Sequence, residues 1–155
     1  MRCYMKHEET TNFDYNKETG AATAIIHAKG KVYVGTAYCH PDDMDFANQL
    51  TGCDIAYRRA SIKMLKDIRD NELIPGLKSL NAYLFSINKG RYFDKKNPMV
   101  KILYHNINQR QTEIDMINEM IKNEKEQLKE FLDTKEALYK KIRAKRAKLD
   151  ENKEA

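Results

Sequence analysis

From Leu103 to Leu149 a predominantly apolar seam recurs every three or four positions, and this repeat constrains the fold more than any other feature of the chain. Counted in heptads, the seam passes through Leu103, Ile107, Arg110, Ile114, Ile117, Ile121 and Glu124. It continues through Leu128, Phe131, Lys135, Leu138, Ile142, Lys145 and Leu149, so that ten of the fourteen seam residues are apolar. No Gly or Pro intervenes. A 3.5-residue period sustained this long argues for a coiled-coil helix rather than a helix of a round core. Asn97 and Pro98, a good N-cap and a good first helical residue, mark its start. Run to Asp150, such a helix would be roughly 80 Å long.

A second helical segment precedes it, from Asp54 onward. Ile55, Ile62, Leu65 and Ile68 make one apolar stripe; Leu73, Leu77, Leu80, Leu84 and Ile87 make another. Pro75 lies between the stripes and lacks the backbone donor a helix needs, so a kink or brief break is expected there. "NKGRYFDKKNP", with Gly90, reads as a turn short enough to make the two long helices antiparallel neighbours. On that alignment the later helix outruns the earlier one by roughly four turns. Leu138, Ile142 and Leu149 fall in the overhang and call for a cover: the β region, a second copy or another protein.

The N-terminal third follows a different period. "AATAIIHAKGKVYVGTAYC" reads as a β-hairpin turning at Lys29-Gly30, where Gly supplies the positive φ of a tight turn. Val32, Val34, Thr36 and Tyr38 face one way, and Tyr33, Gly35, Ala37 and Cys39 the other. A lone hairpin is barely stable in water, so one face must be covered. Residues 1–20 read as loop, with a short strand around Cys3 to Lys6. "HPDDMDFANQLTG" reads as a short helix that opens on Pro41 and carries Asp42, Asp43 and Asp45 near its positive end. Gly52 closes that helix as a left-handed residue. The expected fold is α+β. A small N-terminal β-hairpin or sheet with a short helix occupies residues 1–53, and a long antiparallel helical hairpin, a coiled coil, occupies 54–155.

Composition agrees with an extended helical protein. A third of the 155 residues are charged and there is no Trp. Three Cys without regular spacing argue against a disulfide framework and for a reducing compartment. "MRCYMKHEETTNF" has no apolar stretch of the signal-peptide kind, and no run is long enough to span a bilayer. The expectation is a soluble protein of the cytoplasm with no membrane partner.

Chemistry-bearing motifs are sparse. There is no G-x-S-x-G, no phosphate-binding glycine loop and no H-E-x-x-H, which argues against an enzyme. The run "TAYCHPDDMDF" is the most loaded stretch. Cys3, His7, Cys39, His40 and Cys53 can be combined, at most four together, into a Zn²⁺ site of the Cys₃His kind. No cofactor is otherwise expected, and the spacing matches no paired C-x-x-C knuckle. The competing reading makes Cys39 and Cys53 small buried hydrophobes and the run a strand-to-helix junction. The three aspartates lack the glycine and distal glutamate of a calcium loop.

The basic residues carry more. "KKIRAKRAK" places Lys140, Lys141, Arg143 and Arg146 near the end of the terminal helix, and Arg58 and Arg59 lie near the start of the earlier one. The antiparallel alignment brings both groups to one end, as a partner-binding surface for an acidic or nucleic-acid-binding groove. The plainer reading is that cations at a helix C-terminus offset its dipole and keep the overhang soluble.

At "KGKVYVGTAYCHPDDMDFANQLTGCDIAYRRASIKMLKDIRDNEL" the chain resembles small accessory proteins of Gram-positive phages and prophages. The likeness lies in the hairpin, an H-P-D-D step, a T-G turn and an I-A-x-x-R-A helix start, and it covers about residues 20–90. It implies a mobile-element protein that binds and inhibits a host defence protein in the bacterial cytoplasm, most concretely an anti-CRISPR inhibitor of a Cas9-type nuclease. It carries over no catalytic residue. Two alternatives stand beside it: a nucleic-acid-binding accessory protein using the same cations, and a structural coiled-coil homodimer.

Overall fold

The structure, a computed structural model, describes residues 9–40, 48–88 and 96–154. The order is β1 (Thr10–Asn16), β2 (Ala21–Ala28), β3 (Lys31–Ala37), α1 (Gln49–Ile68), a π-helical stretch (Arg69–Leu73), α2 (Ile74–Asn88) and α3 (Pro98–Glu154). The chain is therefore α+β, a small antiparallel sheet followed by helices. Among the described residues no helix is long and apolar enough to cross a membrane.

The sheet has the order β1-β2-β3, and both pairings are antiparallel. The β2–β3 hairpin is the expected one. Lys29 and Gly30 have φ of 51° and 73°, the left-handed pair of a type I′ turn, whose twist matches that of the strands. β1 corrects the sequence reading, in which residues 10–16 are loop. Its polar sequence, TTNFDYN, hides the alternation, because only Thr11 and Tyr15 are half-buried. Asn16 ties it to β2: its Oδ1 accepts the Glu18 and Thr19 N–H groups at 2.9 and 3.2 Å, and Gly20 turns back with φ 67°. The strand expected around Cys3 to Lys6 lies outside the described residues.

The chain divides into two compact units, Met1–Ser61 with Asn123–Ala155, and Ile62–Lys122. The boundary suggested at 53/54 falls inside α1.

In the first unit one sheet face is built of small residues, Ala22 and Ala24 on β2 and Gly35 and Ala37 on β3, with Ile26 beside them; all are buried. Register puts Phe13 opposite Ala24, and Ala24 opposite Gly35. Small side chains let the helix backbone come close. A Cβ on Gly35 would lie 1.9 Å from the Ala56 carbonyl oxygen and 2.5 Å from the Ala60 nitrogen, so α1 rests directly on β3. Ala56 and Ala60 are themselves fully buried. The other face carries Val32, Val34 and Tyr38, all exposed, as the alternation predicts.

The start of α1 also differs from expectation. Asn48 is the N-cap, its Oδ1 accepting the N–H of Leu50 at 2.9 Å and of Thr51 at 3.5 Å. Gly52 does not close a helix. It lies inside α1, its N–H bonded to the Asn48 carbonyl at 2.9 Å. Its missing side chain serves packing, since a Cβ there would stand 3.0 Å from that of Ala22. The expected opening of the short helix at Pro41, with Asp42, Asp43 and Asp45, lies outside the described residues.

The second unit buries Leu65, Leu73, Val100, Leu103, Ile114 and Ile121. Pro75 acts as anticipated, through the turn before it. The Ile74 N–H reaches back five residues to the Arg69 carbonyl, the mark of a π turn. A wider turn draws the preceding carbonyls away from the proline ring. Arg69 bridges this turn to α3, its Nη1 donating to Asn118 Oδ1 at 3.0 Å while its Nε binds Asp70 Oδ1 at 2.7 Å. That pairing holds the Asp70 carboxyl below its ordinary range. The expected turn before Asn97 falls largely outside the described residues. Asn97 does cap α3, its Oδ1 accepting the Met99 N–H at 2.9 Å.

α3 is one helix, as its seam predicted. In the second unit the seam residues Leu103, Ile114 and Ile121 are buried, and Ile107, Arg110 and Ile117 half-buried.

Candidate docking surface on α3

All features of this surface belong to the first unit. Glu124, Leu128, Phe131 and Lys135 keep the seam half-buried. The inward position then moves one residue on, to Tyr139, and Leu138 is left 54% exposed. Beyond Ile142 every residue from Arg143 to Lys153 is exposed.

Where the seam shifts, the start of α1 and the side of α3 enclose an open groove of about 650 Å³. Phe131, Leu138, Tyr139 and Ile142 give it an apolar floor; Asn48 and Thr51 of α1 stand on one side. Lys135, also in the lining, holds its ammonium 5.3 Å from the centre of the Tyr139 ring, a cation–π distance. Gln127 marks one end of the groove, and there it is already engaged: Arg58 Nη1 donates to Gln127 Oε1 at 2.7 Å and to Glu124 Oε2 at 3.2 Å. Arg58 Nε is buried and lies 3.5 Å from Asp54 Oδ2, an ion-pair distance without a hydrogen bond.

The six cations singled out in the sequence thus occupy different settings. Arg58 joins α1 to α3. Arg59 reaches the sheet instead, its Nη1 donating to the Thr36 carbonyl on β3 at 2.7 Å. Lys140, Lys141, Arg143 and Arg146 are all exposed on α3, with Lys140 3.1 Å from Glu136 one turn earlier. From Ala137 to Leu149 the helix carries six cations and no carboxylate. Lys145 belongs to the same basic run, whereas Lys135, which lines the groove, is legible in the sequence only as a polar interruption of the seam.

Of the five metal candidates, Cys3 and His7 lie outside the described residues. Cys39 and Cys53 are free and half-buried, and His40 is exposed. Burial, then the nearby Asp14 carboxylate, pushes the Cys53 thiol up, which favours the protonated form rather than the thiolate that binds metal. Among the described residues no group of three or more His, Cys, Asp and Glu side chains is gathered. Tyr57, whose ring lies 6.3 Å from that of Phe13, is also pushed up. Burial leads, the Glu9 and Glu124 carboxylates add to it, and Arg58 opposes it.

No protein-family model matches the chain, and neither a curated protein nor a solved structure is significantly similar to it.

Proposed function

We propose that the protein is a non-enzymatic docking protein of a mobile element, which works in the bacterial cytoplasm by occupying a host defence protein through the C-terminal end of α3. In its most concrete form it is an inhibitor of a Cas9-type nuclease. One observation carries the reading. The stretch Arg143–Lys153 is exposed throughout, and it continues a run of like charge that no carboxylate interrupts between Ala137 and Leu149. An exposed helix stretch whose charges from Ala137 to Leu149 are all positive is a surface for an acidic counterpart. The likeness of about residues 20–90 to small phage proteins supports the mobile-element part.

The presenting scaffold, on this proposal, is an antiparallel pairing of α3 with the helices before it, in each unit taken by itself. Arg58 with Glu124 and Gln127 supports it in the first unit. In the second, rising numbers on one strand of the pair meet falling ones on the other: Arg69 reaches Asn118, and Gly76 lies beside Arg110.

The test is DNA cleavage by a purified, guide-loaded Cas9-type nuclease with and without the full chain. Inhibition is expected, and it should vanish when Lys140, Lys141, Arg143 and Arg146 are all replaced by Glu. Undiminished cleavage at saturating protein overturns the nuclease as target. The rival reading, direct nucleic-acid binding by the same cations, predicts retention on random duplex DNA that weakens steeply with salt.

A further inference from the structure

We infer that the groove beside α3 takes one kind of occupant, an acidic amphipathic helix presented by a partner protein. This rests on the docking reading above and specifies what the partner must show to this chain. The first argument is size. From Gln127 to Ile142 the groove runs along α3 for roughly 22 Å, about four helical turns, the length of an ordinary recognition helix. The second is its floor. Phe131, Leu138 and Ile142 offer apolar surface at helical spacing, which an occupant covers with aliphatic side chains three and four residues apart.

The third argument is charge. Steps of 100° per residue put Lys145 on the line of Leu138 and Ile142, with Lys141 on one flank and Arg146 on the other. Lys140 falls on the far side of the helix, beside Glu136. Within the groove Glu130 and Lys135 oppose one another in charge, but past Ile142 it opens onto cations alone, so its occupant must bring carboxylates beside its apolar stripe at that end.

The same charges weigh against the other occupants. A second copy placed head to tail on this segment sets the run of six cations from Ala137 to Leu149 against the same run, with Lys140 already beside Glu136. Duplex DNA satisfies the cations and leaves Phe131, Leu138 and Ile142 in water, so it has no use for the floor.

The experiment uses the full chain and a fluorescein-labelled peptide of about four helical turns, made of Leu, Ala and Glu with Leu on one face. A scrambled peptide of the same composition is its control, and fluorescence anisotropy reads binding. The amphipathic peptide is expected to bind at least roughly ten-fold tighter than the scrambled one. Leu138→Ser with Ile142→Ser should weaken it by a similar factor, and so should Lys141→Glu with Lys145→Glu. Leu138, Lys141 and Lys145 are exposed and Ile142 half-buried, so circular dichroism should be unchanged in both variants.

Equal binding of the two peptides overturns the inference, because charge alone would then suffice. So does competition by random duplex DNA that the Ser substitutions leave untouched, which assigns the surface to nucleic acid. A dimer in sedimentation that the Ser substitutions dissolve assigns it to a second copy. If the peptide fails to bind while charge reversal still abolishes nuclease inhibition, this inference falls and the broader docking reading stands.

Discussion

At Gly35 the backbones of a strand and a helix meet with no room for a methyl group. A Cβ there would overlap the Ala56 carbonyl and the Ala60 amide, which are backbone atoms that cannot rotate aside. Gly35→Ala is expected to destabilise by about 3 kcal/mol or more, the upper end of overpacking effects. Gly30→Ala meets nothing within 4 Å, so it should lose only the roughly 1 kcal/mol that a positive φ of 73° implies. Urea unfolding midpoints compare the two; equal losses would mean that α1 does not rest on β3. Ionisation at the same sheet–helix contact gives a second expectation. The Cys53 thiol and Tyr57 phenol are both pushed up, so the folded state favours their protonated forms. Their contribution is complete below the ordinary values of 9.0 and 10.0, where the unfolded chain is protonated too. Above those values the unfolded chain ionises first, and stability falls as pH rises. Thermal midpoints should drop between pH 9 and 11, and Cys53→Ala with Tyr57→Phe should flatten the decline.

Among the elements, the π stretch is the one whose purpose needs the structure. Through the π stretch and its flanks, the buried and half-buried Leu65, Arg69, Leu73 and Leu77 are spaced by four at every step. A run of fours drifts off the alternating three and four that keeps a stripe straight. One wide turn absorbs the surplus residue, and it lies immediately ahead of Pro75, where an α-helical carbonyl would meet the proline ring. Deleting exposed Asn71 in a Pro75→Ala background should therefore restore an ordinary helix, with stability within about 1 kcal/mol of the parent. Deleting exposed Glu119 from α3 instead turns Ile114 and Ile117 out of phase with Ile121 and should cost several kcal/mol, on the order of a buried Ile or Leu lost. Denaturation of the two deletion variants separates a turn that stores one extra residue from a helix that tolerates none.

For the molecule as a whole, the residues that stabilise the fold and those proposed for docking are different. Among the described residues the buried side chains run from Ala22 to Ile121, whereas Arg143–Lys153 are all exposed. Truncation after Ile142 is expected to leave the unfolding free energy within about 1 kcal/mol of the full chain, since none of the described residues it removes, Arg143–Lys153, is buried. The same truncation should weaken the acidic amphipathic peptide by roughly ten-fold through loss of Lys145 and Arg146. A large fall in stability would show that the end of α3 serves the fold after all. The exposed like charges also limit self-association through this segment, so its occupant is sought in a molecule of opposite sign.

Periodicity made α3 readable from residues alone, because a heptad seam is a local pattern and its burial follows from helix geometry. The Lys29-Gly30 turn was equally legible, because a type I′ turn demands particular backbone angles of particular residues. Tertiary contacts decided the rest. β1 is polar along its length and becomes a strand only by pairing with β2. Gly52, a plausible helix stop by local rules, lies inside a helix because Ala22 needs the space beside it. Arg58 and Arg59 were legible as cations, but their bonds to Glu124, Gln127 and Thr36 depend on chain segments far away in sequence. The groove follows the same rule. Its apolar floor and its cations were visible as a list, and only the placing of α1 against α3 made them one surface. A local pattern can specify an element, but which element lies against which depends on contacts that no short stretch contains.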